Sequence, residues 1–190
     1  KNAAGEWTES QRLTPPGLAE GDSYGRSIAL SDKFALIGAA GADSSRGAVF
    51  VFKREGNGFT YHSKLTQDEV EEGALFGLTV VMHGSKALVS AQANGQEEGK
   101  ADHGDVFSYI YDSATDTWKD GGKLPKFQNI FDNSGFGSGL SMNADQAIVG
   151  TPALSGGIGG AVVYSNSGGG WSFAGALLPF YVTNGGSGSF

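Results

Sequence analysis

Carboxylates grouped in two neighbouring stretches are the side chains of this sequence with the clearest capacity for chemistry. The first stretch holds four acidic residues, and the second holds three acidic residues and a histidine: Asp68, Glu69, Glu71 and Glu72, then Glu97, Glu98, Asp102 and His103. Converging carboxylate oxygens are the ligands that Ca²⁺ prefers. The candidate calcium ligands are Glu71, Glu72, Glu97, Glu98 and Asp102, and no other cofactor is indicated. Their spacing matches no recognised calcium loop, so solvated acidic loops stay open as the alternative interpretation.

The residue patterns of common catalytic sites are missing from the sequence. No serine carries glycines both two residues before and two residues after it, as a nucleophile elbow requires. Residues 99–101 (Gly-Lys-Ala) lack the preceding glycine and the following hydroxyl of a phosphate-binding loop. The three histidines are scattered over different predicted elements, which argues against a zinc or catalytic role for any of them. The sequence therefore predicts no enzyme.

Net charge and composition exclude several classes of partner. The formal net charge is −7 over 190 residues, so the basic patches that bind nucleic acid or anionic membranes are not expected. Cysteine is absent, which excludes disulfides and thiolate metal sites. The 32 glycines separate apolar runs instead of forming a tract, as expected for an all-β protein with many hairpins. We expect almost no helix.

The elements that must position these loops belong to a repeating pattern. An aromatic-Gly pair begins at Tyr24, returns at Phe76 and returns again at Phe136, 52 and then 60 residues later. Each pair is followed by two apolar runs, and a further run places an aromatic six residues before a leucine. Those leucines are Leu13, Leu65, Leu124 and Leu177. Recurrence at such a period is the signature of a repeat architecture.

Each repeat contains four short runs rich in β-branched and aromatic residues, separated by turn-forming residues. Four antiparallel strands in a repeat of about 50 residues indicate a blade of a β-propeller. We predict an all-β propeller segment of four-stranded antiparallel blades at 24–65, 76–124 and 136–177, with the first strands innermost. Tryptophans at one repeat position favour packing between blades over ligand stacking. They are Trp7, Trp118 and Trp171.

The motifs of this repeat resemble a known family. Leu-Ile-Gly-Ala-Ala at 36–40 and Ile-Val-Gly-Thr-Pro at 148–152 resemble the FG-GAP repeat. The resemblance implies the propeller of integrin α-subunits and of bacterial and algal surface proteins. In the second repeat, residues 90–92 replace the expected Gly-Ala-Pro, and the hairpin at 111–118 resembles a kelch turn. Tight hairpins stand where the family often carries calcium loops, so those sites are not carried over.

Alternating strand direction places the second-to-third loops and the blade-to-blade connections on one face, which we call the long-loop face. The connections assigned to it are 14–23, 40–46, 66–75, 92–103, 125–135 and 153–159. Binding residues concentrate in loops that a rigid scaffold presents, and the FG-GAP resemblance implies adhesion. We therefore expect a non-enzymatic binding or adhesion module, extracellular or on a cell surface, that recognises a protein or a glycan. Two alternatives stay open: a structural building block of a cell-surface filament or large assembly, and the non-catalytic part of a larger hydrolase or lyase.

Two segments lie outside the three predicted blades. Residues 7–13 match the fourth strand alone, so we expect them to complete a neighbouring or closing blade. Residues 178–190 are expected to start a further blade, because Phe190 follows Phe136 by 54 residues. Propellers close with about four to eight blades, so a larger chain or further copies should complete the ring. Alone, the segment is expected to associate through the uncovered apolar faces of its terminal blades.

Overall fold

The computed structural model describes residues 5–94, 104–126, 134–168 and 170–179. Within those ranges nearly all regular structure is strand. In chain order the strands are β1 Tyr24–Leu30, β2 Phe34–Ala39, β3 Ala48–Glu55, β4 Gly58–Leu65, β5 Phe76–His83, β6 Lys86–Ala91, β7 Asp105–Asp112, β8 Thr117–Lys123, β9 Leu140–Met142, β10 Gln146–Thr151, β11 Gly160–Asn166 and β12 Trp171–Leu177. Two short helical segments, α1 Ala42–Ser45 and α2 Leu154–Gly157, follow β2 and β10.

The strands form three antiparallel four-stranded sheets, each in simple chain order. We call the sheet of β1 to β4 blade 1, that of β5 to β8 blade 2, and that of β9 to β12 blade 3. Strand β1 contacts β5, and β5 contacts β9, as expected when the first strands are innermost. The structure confirms the predicted all-β fold built from four-stranded propeller blades.

Short polar turns close the hairpins between the first and second strands. Ser31 Oγ accepts a hydrogen bond from the backbone amide of Phe34 at 3.1 Å. Asn143 Oδ1 accepts bonds from the amides of Asp145 at 3.1 Å and Gln146 at 2.8 Å. Because these side chains replace a backbone acceptor within the turn, the apolar runs on either side fold back and pair.

The core between blades 1 and 2 joins opposite faces of two sheets. We call the face that a blade turns toward the preceding blade its near face, and the other its far face. Leu36 and Leu65 on the far face of blade 1 pack with Phe76 and Phe107 of the near face of blade 2. Buried leucine and phenylalanine side chains contribute about 1.5–3 kcal/mol each. The two blades therefore stabilise each other.

The core between blades 2 and 3 repeats this arrangement. Leu88 and Leu124 of blade 2 pack with Phe136 and Tyr164 of blade 3. Every one of these four side chains is at most 2% exposed. Stability in such a repeat is shared between neighbouring units.

The tryptophans at the shared repeat position differ in their surroundings. Trp118 packs against the core of blades 1 and 2, with its ring centroid 5.2 Å from that of Phe34. Trp171 packs against the core of blades 2 and 3, whereas Trp7 is 84% exposed. Packing between blades therefore holds for Trp118 and Trp171 only, because Trp7 precedes blade 1 and no described sheet lies before it.

The near face of blade 1 is covered by the segment that precedes it. Phe50 and Phe52 are each 2% exposed, and Leu13 and Leu18 pack against the cluster that contains them. In the described part of the chain residues 7–13 form no strand. Their role as the fourth strand of another blade stays a prediction.

One strand boundary differs from the sequence prediction, and one predicted segment lies largely outside the described residues. Strand β9 begins at Leu140, four residues after Phe136. Glycines at 137 and 139 favour this irregular backbone, although Gly137 N still donates to Gly150 O at 3.1 Å. Of the predicted start of a further blade, residues 180–190 lie outside the described residues.

No helix in the described chain has the length and hydropathy that a membrane span requires.

Candidate binding face

The loop between β2 and β3 contains a run of left-handed backbone. Asp43, Ser44 and Ser45 have φ values of 52°, 60° and 61°. Left-handed backbone costs an L-residue about 1–2 kcal/mol, and strain of this kind persists only where surrounding contacts enforce it. Of these residue types aspartate adopts left-handed backbone most readily, and the Asp43 carboxylate accepts a hydrogen bond from Lys64 Nζ at 2.7 Å. The loop is therefore held in a costly conformation by its neighbours.

The neighbour that enforces the turn is the connection between blades 1 and 2. The carbonyls of residues 44, 45 and 46 accept hydrogen bonds from the amides of residues 73, 75 and 76 at 3.3, 2.9 and 2.9 Å. Gly47 follows at φ 90°, and a Cβ there would lie 2.0 Å from the carbonyl oxygen of Phe76. The β2–β3 loop and the blade connection therefore lie side by side on the long-loop face.

A buried carboxylate anchors the same face of blade 2. The Asp105 side chain is 7% exposed and lies 2.8 Å from Lys126 Nζ and 3.2 Å from Lys123 Nζ. Asn94 Nδ2 donates to Asp105 at 2.6 Å, and Asn94 Oδ1 accepts a bond from the Glu71 amide at 3.2 Å. A buried charge is tolerated when it is paired and hydrogen-bonded. The network ties the β6–β7 loop to the 66–75 connection.

The candidate calcium ligands are only partly described. Glu72 lies 3.8 Å from Arg46, and Glu69, from the same acidic stretch, lies 3.0 Å from Lys123. No group of three or more carboxylates, histidines or cysteines within the described ranges is arranged to hold a metal ion. The remaining members of the predicted set lie outside the described residues: Glu97, Glu98 and Asp102, with His103. A calcium site that combines both acidic stretches stays a prediction.

On the opposite face, which we call the hairpin face, one carboxylate joins blades 1 and 2. Asp116 Oδ1 accepts hydrogen bonds from Tyr111 Oη at 2.6 Å and Lys53 Nζ at 2.8 Å, and His62 Nε2 lies 3.2 Å away. Lys53, followed by Tyr111 and His62, holds the pKa of Asp116 well below its usual range. Sequence reasoning missed this cluster. The signal that could have indicated it was the kelch-like turn at 111–118.

A groove of about 680 Å³ also opens on the hairpin face, between blades 1 and 2. Its lining combines apolar Leu30 and Met82 with charged or titratable Asp32, Lys33 and His83. Pockets for small ligands have similar volumes and a similar mixture of apolar surface and few polar groups. This groove is the second candidate site.

Comparison with known proteins agrees with this geometry. Residues 7–52 match the FG-GAP repeat. The crystal structure of Saccharomyces cerevisiae Sqt1, a WD40 β-propeller, is similar over 85% of this chain with a TM-score of 0.55 and 10% identity. The chain spans 37% of the length of that protein, and no curated protein matches the sequence. Residues 7–52 are therefore an FG-GAP repeat, and the chain that contains them is a segment of a β-propeller.

Proposed function

We propose that this chain is a non-enzymatic binding module of a secreted or surface-exposed protein. It recognises a protein or a glycan through the long-loop face. The FG-GAP repeat supports a propeller-type binding module. The finer assignment to adhesion outside the cell, and to a macromolecular ligand, is our proposal.

The observation that carries the proposal is the anchoring of two connections of the long-loop face, 40–46 and 66–75. The strained turn at 43–45 is held in place, because the carbonyls of residues 44–46 accept three hydrogen bonds from backbone amides within residues 73–76. The Asp105 network fixes the 66–75 connection from the other side. A surface that is ordered before binding loses less entropy when a partner docks. Anchored loops of this kind suit recognition.

The test compares charge reversals on the two faces. Glu71→Lys changes an exposed side chain of the long-loop face, and Asp32→Lys is the matched control in the hairpin-face groove. The labelled chain is applied to arrays of glycans and of extracellular proteins. We expect reproducible binders whose affinity for Glu71→Lys is lower by about tenfold, the effect of losing about 1.4 kcal/mol, and unchanged for Asp32→Lys. Loss with Asp32→Lys alone would move the site to the groove, and the absence of any binder would contradict the proposal.

A second candidate function is a structural building block of a large assembly. Exposed apolar side chains on both terminal blades favour it. Ile28 of blade 1 is 71% exposed and Ile148 of blade 3 is 43% exposed. Exposed apolar surface of this kind marks sites of association.

A further inference from the structure

The groove on the hairpin face is built from the hairpins of two consecutive blades. Blade 1 contributes Asp32, Lys33 and Phe34 from its β1–β2 hairpin, and blade 2 contributes Met82 and His83 from its β5–β6 hairpin. The groove measures about 680 Å³, within the range of about 300–1,000 Å³ that small-molecule sites span. It is therefore large enough for a small organic ligand.

The equivalent position at the junction between blades 2 and 3 is crossed by a side chain. Phe34 and Lys86 begin the second strands of blades 1 and 2, and they hold equivalent positions in the pairing with the third strands. Lys86 Nζ donates to the Ala144 carbonyl of blade 3 at 3.0 Å. Phe34 cannot donate, and its side chain is buried in the core of blades 1 and 2. The groove thus lies at the junction where a buried phenylalanine stands in place of a bridging lysine.

The floor of the groove is apolar, and neighbouring contacts hold it. Phe34 is 1% exposed, and Met82 packs against the same core. Tyr111 also lines the groove, and its ring centroid lies 4.6 Å from that of Phe34. Its hydroxyl donates to Asp116 at 2.6 Å, which fixes the ring. Apolar and aromatic surface of this kind takes the apolar part of a ligand.

The charged side chains that line the groove have no partner among the described residues. Asp32, Lys33 and His83 are exposed, and none of them forms a side-chain hydrogen bond or ion pair with another described residue. By contrast, Lys53 on the same face is paired with Asp116 at 2.8 Å. The groove therefore offers a ligand one carboxylate and one ammonium group, and the imidazole of His83 adds a donor.

The balance of charge in the groove selects the class of ligand. A simple anion would bring like charge toward Asp32, and a simple cation would bring like charge toward Lys33. Both arrangements lower the affinity. A zwitterion pairs with both side chains at once, and an apolar group on the same molecule would leave water for the floor of the groove. These requirements together describe an amino acid with an apolar side chain.

We propose that the groove binds a free amino acid with an apolar side chain, such as phenylalanine. Asp32 pairs with the α-ammonium group. Lys33 pairs with the α-carboxylate, to which His83 donates a hydrogen bond. The side chain of the ligand lies against Met82 and Tyr111. This small-molecule site is separate from the long-loop face, and both of its walls come from blades that pack directly on each other.

The experiment is a titration of the isotope-labelled chain, followed by two-dimensional NMR, with three probes. L-Phenylalanine carries both charges, phenethylamine lacks the carboxylate, and hydrocinnamate lacks the ammonium group. We expect L-phenylalanine to bind in the millimolar range or more tightly, the affinity that is typical of a ligand this small. Each analogue should bind at least about tenfold more weakly. The amides that shift should be those of residues 31–34 and 82–85.

Charge variants assign each contact. Asp32→Asn should weaken binding of L-phenylalanine by about tenfold but not that of hydrocinnamate. Lys33→Gln should weaken binding of L-phenylalanine by about tenfold but not that of phenethylamine. Asp145→Asn is the matched control, because Asp145 is an exposed carboxylate in the corresponding turn of blade 3, and this variant should bind every probe as the parent does.

Four results would overturn the proposal. The first is the absence of saturable shifts at millimolar L-phenylalanine, and the second is a set of shifts centred away from the groove. The third is an analogue that binds as tightly as L-phenylalanine, because the zwitterion would then have no advantage. The fourth is binding of L-phenylalanine by Asp32→Asn and Lys33→Gln at the parent level.

Discussion

Ser44 and Ser45 show that backbone strain persists where it permits a contact. Both residues have left-handed backbone, with φ of 60° and 61°. Blade 3 places Gly157 at φ 97° in the corresponding loop, where no Cβ opposes that conformation. The strain persists in blade 1 because the carbonyls of residues 44–46 accept hydrogen bonds from backbone amides within residues 73–76.

Ser45→Gly should therefore stabilise the protein. Removing left-handed strain gains about 1–2 kcal/mol, and the greater freedom of glycine in the unfolded chain offsets about 0.5–1 kcal/mol of it. We expect a net rise in the free energy of unfolding of up to about 1.5 kcal/mol by urea denaturation. Ser141→Gly, in strand β9, is the control and should destabilise by about 0.5–1 kcal/mol. Equal destabilisation by both would contradict the strain argument.

Asp116 is the residue on which contacts from two blades converge. Asp116→Asn removes the charge that Lys53 and His62 face, so the variant should be less stable than the parent at neutral pH. The parent pKa is lowered in the folded state, so its contribution is present above pH 3.8, the ordinary value, and is lost as pH falls below it. The variant should therefore lose less stability between neutral pH and pH 3 than the parent. Thermal unfolding at a series of pH values measures this, and an identical loss of stability in acid for parent and variant would contradict the argument.

At the scale of elements, the junction between blades 1 and 2 includes a close backbone approach at Gly47. Gly47 and Gly73 have φ of 90° and 83°, but a Cβ would meet the Phe76 carbonyl oxygen at 2.0 Å from Gly47 and nothing within 4 Å from Gly73. Alanine substitutions at the two glycines therefore separate the cost of the left-handed dihedral angle from the cost of the steric clash.

Gly73→Ala should destabilise by about 1–2 kcal/mol, the cost of left-handed backbone. Gly47→Ala should cost clearly more, about 3 kcal/mol or above, because the strands of blades 1 and 2 must also move apart. Denaturant unfolding with a shared probe measures both. If the two alanine variants unfold at the same denaturant concentration, the close approach does not control the junction.

The element scale is also where the sequence predicted most. The β-branched and aromatic runs recur in one order, so the three blades and their four strands follow from local pattern, and β1 to β8 fall where the repeat places them. Strand β9 is shorter than predicted, and Gly139 precedes Leu140 where blades 1 and 2 have Ser27 and Thr79, a change that weakens strand pairing.

Contacts between distant residues could not be predicted in this way. Lys53 and Asp116 are 63 positions apart and meet only because two sheets pack together. The turn at Asp43, Ser44 and Ser45 contradicts the preferences of its own residues, and backbone hydrogen bonds from residues 73–76 hold it. The acidic stretches were recognised as charged loops, whereas the lysines that pair with Glu69 and Asp105 come from another strand and connection.

At the scale of the whole molecule, buried tyrosine hydroxyls link blades 2 and 3 to the connections that precede them. Tyr109 Oη donates to the Thr66 carbonyl at 3.1 Å, and Tyr164 Oη donates to the Pro125 carbonyl at 2.9 Å. The two tyrosines hold equivalent positions on the third strands, and the acceptors directly follow the equivalent leucines Leu65 and Leu124. Blade 1 has Phe52 at that position and lacks this bond.

Stability should consequently fall at alkaline pH. Burial raises the pKa of Tyr109 and Tyr164 above the ordinary value of 10.0 and raises that of Tyr24 to about 12. The unfolded chain releases these protons near pH 10 while the folded chain retains them. The stabilisation is therefore complete below pH 10 and is lost as pH rises through the folded values, with a slope of at most about 1.4 kcal/mol per pH unit for each tyrosine.

The double variant Tyr109→Phe/Tyr164→Phe tests whether these two hydroxyls carry the effect. At pH 7 it should be less stable by about 1 kcal/mol for each lost hydrogen bond, and above pH 10 its stability should decline less steeply than that of the parent. Tyr61→Phe is the control, because Tyr61 is 40% exposed and its hydroxyl joins no blades. Urea unfolding at a series of pH values, read by far-UV circular dichroism, gives both quantities. A double variant that keeps the parent's alkaline slope would show that the loss of stability arises outside the junctions between blades.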